Sequence, residues 1–234
     1  AAARQANSVK RQQRTRAWGL TGMLAGRLYR AGAWASETYH LRAVGASRSK
    51  IQAFRRDRAR VTVQLRPRLC LTTCFAIIGP LQDPAIDMPC LQVKELLGMW
   101  QGCGAVQDVV RLVWKIAVDD LSATAEQVRT HKVRGPLDAL ITLLLGLGWE
   151  LEAADEWISD DGLPFRFGDA VDSTLAAQKA GLMQELRASI ERRLWREAAL
   201  RWHGAGLEEG VVGRITTNSL RALRSSGNGD VAGH

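Results

Sequence analysis

A mainly α fold, a helical bundle with one small β-hairpin, is predicted by three features of this sequence. Apolar residues recur at steps of three and four along most of the chain, glycines and prolines fall between those stretches, and a two-residue period occurs in one region only. The first helical face is Ala17, Leu20, Leu24, Leu28 and Ala31, with Gly32 as its expected end. Ser36 suits the N-cap of a short helix through Val44, and Gly45 its stop. Ser47 opens a third helix with Ile51 and Phe54 pointing inward.

Pro67 interrupts, and the apolar run Leu69 to Ile78 reads as a buried helix, with a strand as the open alternative. Pro80, Pro84 and Pro89 bound an expected loop. Helical spacing resumes from Cys90 to Trp100 and from Val106 to Val118, where Val106, Val109, Val110, Val113, Trp114 and Ala117 form one apolar stripe. Gly135-Pro136 opens a helix carrying Leu137, Leu140, Ile141, Leu144 and Leu145. The period then changes. Trp149 to Glu152 alternates, and Trp157-Ile158-Ser159 and Pro164 to Phe167 flank the turn Asp160-Asp161-Gly162, which predicts the hairpin. Ser173 is the expected cap of a long helix to about Trp202, with Leu175, Leu182, Leu186, Ile190, Leu194 and Ala198 on one face. Ala1 to Lys10 and Ser225 to His234 are small and polar enough to be loose tails.

Charge is divided unevenly along this frame. The first 70 residues hold 16 Lys and Arg against two acids, Glu37 and Asp57, a net charge near +14; the remainder is acidic, at −6, and the whole chain is +8. Such a split bears on partners more than on fold, and it points one end of the molecule at a polyanion. Arg48, Lys50, Arg55, Arg56, Arg58, Arg60, Arg66 and Arg68 are eight cations in 21 residues beside one acid, Asp57. Pairing within a helix cannot neutralise them, whereas a phosphate backbone can. Lys10, Arg11, Arg14 and Arg16 add reach. Nucleic acid, RNA or DNA without base-sequence preference, is the expected partner, and an acidic protein the alternative.

Other chemistries find less support. The longest apolar stretch, Leu137 to Trp149, is shorter than a bilayer span and contains Asp138, so no membrane partner is expected. Cys70, Cys74, Cys90 and Cys103 and the four histidines do not follow zinc-ligand spacing, and Cys70 and Cys74 read as thiols on one apolar helix face. Reduced thiols suit an intracellular place, nuclear or cytoplasmic. His40, His131 and His203 lack a nucleophile pattern. Gly98 to Gly104 lacks the Lys-Ser/Thr of a phosphate loop. Asp119-Asp120 could hold metal ions only with a converging third carboxylate, and the helical spacing before them reads as acids at a helix end. No catalytic residue, metal or cofactor is expected. Of the eight Trp, Trp18 and Trp34 lie in the basic part, where stacking on bases is conceivable. The chain begins at Ala1 without a secretory-type apolar segment and reads as a fragment or processed product.

Two stretches together carry a resemblance. The first has a basic lead-in from Lys10, Arg27-Leu28-Tyr29-Arg30-Ala31-Gly32, Thr38-Tyr39, Val44-Gly45-Ala46-Ser47, the basic helix Ile51 to Arg60, and Leu69-Cys70-Leu71-Thr72-Thr73. The second has Val133-Arg134-Gly135-Pro136-Leu137-Asp138-Ala139-Leu140, Leu147-Gly148-Trp149, the hairpin and the long helix. They resemble the region after the catalytic palm in reverse transcriptases of non-long-terminal-repeat retrotransposons. The family often has Pro where Trp34 or Ala35 stands and Tyr-Gly where this chain has Tyr39-His40. Its catalytic Asp pair follows an aromatic residue two positions before the first Asp, where this chain has Ala117.

The resemblance implies a thumb and connector without the polymerase active site. Residues 1–68 would be the basic thumb-like segment, 69–134 a helical connector, 135–224 a helix, hairpin and long helix, and 225–234 a flexible tail. The expected function is non-catalytic positioning of template-primer through phosphate contacts, without polymerase activity in this chain alone. A helical scaffold whose basic arm binds an acidic partner, or a decayed element remnant, are the alternatives.

Overall fold

The structure, a computed structural model, describes residues 7, 10–14, 22–39, 41, 45–62, 70–79, 83–100, 104–167 and 172–200. Among them the fold is mainly α with a small antiparallel sheet, as the periodicity predicts. The first helix, α1 (Gly22–Tyr29), continues through a π-helical turn, Arg30–Trp34, into α2 (Ala35–Thr38). Gly32 therefore does not end it, and Ser36 lies inside helix instead of capping one. Glycine weakens a helix by only about 1 kcal/mol. Burial of Ala33 and Trp34 outweighs that, with the Trp34 ring edge-on to Phe54 at 5.4 Å between centroids. Trp34 is thus a core residue and presents no face to a base.

Gly45 is the stop that the sequence predicts. Its φ of 70° is left-handed, and its N–H donates to the Leu41 carbonyl at 2.8 Å. Ser47 opens α3 (Arg48–Thr62), where its Oγ accepts from the Lys50 N–H at 3.3 Å. The apolar run that left helix and strand open is helix, α4 (Leu71–Ile78).

The next helix, α5 (Pro84–Trp100), contains two of the prolines expected in a loop. Pro84 takes the first helical position, where its missing N–H has no partner to lose. Asp83 caps the helix by accepting from the Ala85 N–H at 2.9 Å. Pro89 forfeits the bond that an N–H would make to the Ala85 carbonyl. Burial of Ile86, Met88, Val93, Leu96 and Leu97 along the same helix compensates.

Two helices, α6 (Gly104–Ser122) and the short α7 (Glu126–Arg129), lead to α8 (Pro136–Leu147), which opens on Pro136 as predicted. The sheet has three strands in the order β1 (Glu150–Ala153), β2 (Glu156–Ile158), β3 (Pro164–Arg166), all antiparallel. The β2–β3 pair is the expected hairpin, and the alternation after Trp149 is a third strand beside it, with Leu151 opposite Trp157. The long helix, α9, runs Asp172–Ala199 and so begins one residue before Ser173. Among the described residues no helix is long and apolar enough to cross a membrane.

Two cores hold these elements. The larger joins α5, α6, α8, the sheet and α9, with Trp114 stacked on Trp157 at 5.5 Å and Trp149 Nε1 donating to Ser189 Oγ at 2.9 Å. The described residues of the expected connector, 69–134, and of the segment after it therefore share one core. The smaller core gathers Ala25, Tyr29, Ala33, Trp34, Leu41, Phe54 and Val61 around Met88. Since α5 supplies Met88 to one core and Val93 and Leu96 to the other, it ties the basic N-terminal elements to the rest.

Candidate nucleic-acid interface

Density of cations decides nothing until the helix that carries them has an inside and an outside. On α3 the inside is Phe54, Arg55, Arg58, Ala59, Val61 and Thr62. Two of the candidate phosphate-binding residues thus lie on the core side. Arg55 is 2% exposed; its Nε donates to Asp83 Oδ1 at 2.9 Å and its Nη2 to Asp83 Oδ2 at 2.8 Å and to Thr72 Oγ1 at 3.1 Å. Arg58 is 0% exposed and lies over the Tyr29 ring at 5.6 Å. Burial pulls the Arg58 guanidinium down to about 10, with Asp87 working against the shift.

Neither guanidinium can reach a phosphate while the helix is packed. The expected contact role is corrected for Arg55 and Arg58, which instead fasten α3 to α1 and to the start of α5. The signal was in the spacing: Ile51, Phe54, Arg55, Arg58, Val61 and Thr62 follow steps of three, one, three, three and one, a single helical face.

The outer side of α3 carries the other cations. Arg48, Lys50, Arg56 and Arg60 are all exposed, with Asp57 the one acid on the helix. At about 100° per residue, Arg56 and Arg60 share one line with Ser49 and Ala53, and Lys50 and Asp57 share the next. Arg48 pairs with Glu197 of α9 at 2.8 Å, and Arg60 with Asp57 at 3.3 Å. Lys50 and Arg56 have no ion pair among the described residues. Arg66, Arg68 and Arg16 lie outside the described residues.

The N-terminal candidates stand against the π turn that follows α1. Residues 10–14 are helical, Lys10, Arg11 and Arg14 are exposed, and Arg11 Nη1 donates to the Gly32 carbonyl at 3.0 Å. That bond sets the segment against the π turn whose Trp34 packs on Phe54 of α3. Arg27, which the sequence did not single out as a contact residue, is exposed on α1, the helix whose Ala25 and Tyr29 share a core with Phe54 of α3. Arg30, on the π turn, is committed to Asp87 at 2.7 Å.

Among the described residues, the acids and thiols that the sequence singled out do not converge on one site. Asp119 and Asp120 occupy the last turn of α6, not a strand turn, and both are exposed. Lys132 Nζ donates to Asp120 Oδ1 at 2.8 Å and, with Arg134, holds that carboxyl below its ordinary range. Cys74 is buried on α4, and burial pushes its thiol up to about 11, the state of an inert packing residue. Among the described residues no group of three or more His, Cys, Asp and Glu is placed to hold a metal ion. Compared with models of known protein families, with curated proteins and with solved structures, the chain matches none.

Proposed function

We propose that this chain is a non-catalytic nucleic-acid-binding segment that positions a template-primer duplex through phosphate contacts, in keeping with its resemblance to the post-palm region of non-long-terminal-repeat reverse transcriptases. The observation that carries the reading is the outer ridge of α3, with Lys50, Arg56 and Arg60 exposed on a helix whose inner face is fixed by Arg55 and Arg58. A fixed helix presents its cations without the cost of ordering a flexible tail. From Lys50 to Arg60 the helix rises about 15 Å, the axial length of about four phosphates of one duplex strand. Gln52 is the one amide on α3, so the ridge is suited to tracking charge and poorly suited to reading bases.

The second reading is an acidic protein partner. Carboxylates already pair with Arg30, Arg48 and Arg60, so the cations of this region accept that chemistry as well. Fluorescence anisotropy separates the two, using RNA and DNA duplexes of unrelated sequence and polyglutamate of similar length across a salt series. Duplexes should bind more tightly than polyglutamate, independently of sequence and with steep salt dependence. A chain that binds polyglutamate and no duplex fits the scaffold reading and overturns the first.

A further inference from the structure

The apolar stripe on α6 is wider than its core can cover. Val110, Trp114, Ala117 and Leu121 are buried against α8, α5 and the sheet. Val109, Leu112 and Ile116 are 62%, 64% and 62% exposed, and Val106 and Val113 beside them are 40% and 41% exposed. At about 100° per residue these five span roughly a third of the helix circumference, immediately next to the buried face. A contiguous apolar surface of this kind on a helix marks a contact with something.

The charged shoulder says what the contact is. Val109, Leu112 and Ile116 are spaced three and four apart, which is the seam of a helix pair. Asp108 and Lys115 stand seven residues apart on one shoulder of the seam, both exposed, and Val106 and Val113 stand seven apart on the other. If two copies of this helix pack antiparallel about a two-fold axis, each shoulder meets its own counterpart running the other way. Asp108 then faces the partner's Lys115, Lys115 faces the partner's Asp108, and Val106 faces the partner's Val113. Parallel packing would set Asp108 against the partner's Val113 and leave a carboxylate on an apolar contact.

We propose that the outer face of α6 is a self-association surface, on which a second copy of this chain packs antiparallel through Val109, Leu112 and Ile116 with reciprocal Asp108–Lys115 pairs. Three turns of helix bury less than the roughly 800 Å² per partner of a standard interface. The dimer is accordingly weak and concentration-dependent, and it uses no residue of the α3 ridge.

Sedimentation velocity and equilibrium on the full chain, freed of nucleic acid and run from micromolar to several hundred micromolar, test this. The wild type should pass from monomer to dimer. Leu112→Glu combined with Ile116→Glu should stay monomeric with unchanged circular dichroism, because both side chains lie outside the core. Asp108→Lys alone and Lys115→Asp alone should each raise the dimer dissociation constant roughly three- to tenfold, and the two together should restore it. A wild type that is monomeric throughout, or a dimer that persists in the double glutamate variant, overturns the proposal and leaves the face to another occupant. Failure of the paired charge swap to restore dimerisation, which is readable even if the glutamate variant does not fold, overturns the antiparallel arrangement.

Discussion

Arg55 and Asp83, 28 residues apart in the chain, form a two-point ion pair that is almost wholly buried, with side chains 3% and 2% exposed. Asp83 works in two directions. Its Oδ1 caps α5 through the Ala85 N–H while both carboxylate oxygens receive the Arg55 guanidinium of α3. A residue read from the sequence as a ligand for phosphate is therefore a tie between two helices. Removing one partner of such a pair strands a buried charge, which costs more than the intact pair contributes.

Arg55→Met should lower unfolding stability by about 3–5 kcal/mol because Asp83 is left buried without its counter-charge. Adding Asp83→Asn to it removes that charge and keeps a side-chain oxygen for the cap, so the double variant should recover part of the loss. Urea denaturation of the four members of the cycle measures this. A double variant no more stable than Arg55→Met would mean that the stranded charge is not the source of the cost.

The phosphate-tracking reading makes a separate demand on the exposed cations. Lys50→Ala, Arg56→Ala and Arg60→Ala together should flatten the log-log salt dependence of duplex binding by about two to three units, at about 0.9 per phosphate neutralised. All three side chains are exposed, so the fold should persist. Anisotropy titrations over a salt series give the slope. An unchanged slope would remove α3 from the interface.

What the sequence disclosed, and what it concealed, follows from how far each interaction reaches. Caps and stops are local, and Ser47, Gly45 and Pro136 behave as their residue types dictate. Asp83-Pro84 was equally local, a capping acid followed by a proline suited to the first helical position, but three prolines in ten residues suggest a loop when no partner is in view. Arg55 and Arg58 sit at core positions of a legible helical face. Their charge argues for solvent until Asp83 and Tyr29 arrive from elsewhere in the chain. On α6 the period gives an apolar stripe, and only packing reveals that Val110 and Trp114 are covered while Val109 and Leu112 are not. The strand β1 shows its alternation at Leu151, yet four residues specify a strand only once Trp157 stands opposite.

Gly45 is fixed by conformation and by space at once. Its φ of 70° disfavours any side chain, and a Cβ there would collide with the Cβ of Ala139 on α8. Gly45→Ala should destabilise the chain by about 1–3 kcal/mol from overpacking, beyond the backbone strain. Pairing it with Ala139→Gly should relieve the collision and leave the strain. Thermal or urea unfolding of the single and double variants tests this, and a single variant as stable as wild type would contradict the close approach of the α3 approach loop to α8.

The hairpin turn is held to α9 by charge, and that gives stability a pH dependence of definite sign. Arg192 Nη2 donates to Asp160 Oδ1 at 2.6 Å and to Glu185 Oε1 at 2.8 Å, and its Nε donates to Asp160 Oδ2 at 3.2 Å. Burial alone would push the Asp160 carboxyl up, but hydrogen bonds from Arg192 and Ser189 more than reverse this and leave it below the ordinary carboxylate range. A carboxyl depressed in the folded state binds fewer protons there than in the unfolded chain. Its stabilisation is present above the unfolded value near pH 4, and is lost as pH falls through the lower folded value. Asp160→Asn should therefore cost about 1–3 kcal/mol at pH 7, as loss of a hydrogen bond to a charged group does. The gap between variant and wild type should narrow below about pH 4 as the wild-type carboxyl takes up its proton. Urea midpoints of both proteins from pH 7 down to pH 3 are the measurement, and a gap that stays constant across that range would show that the pair with Arg192 does not lower the Asp160 carboxyl.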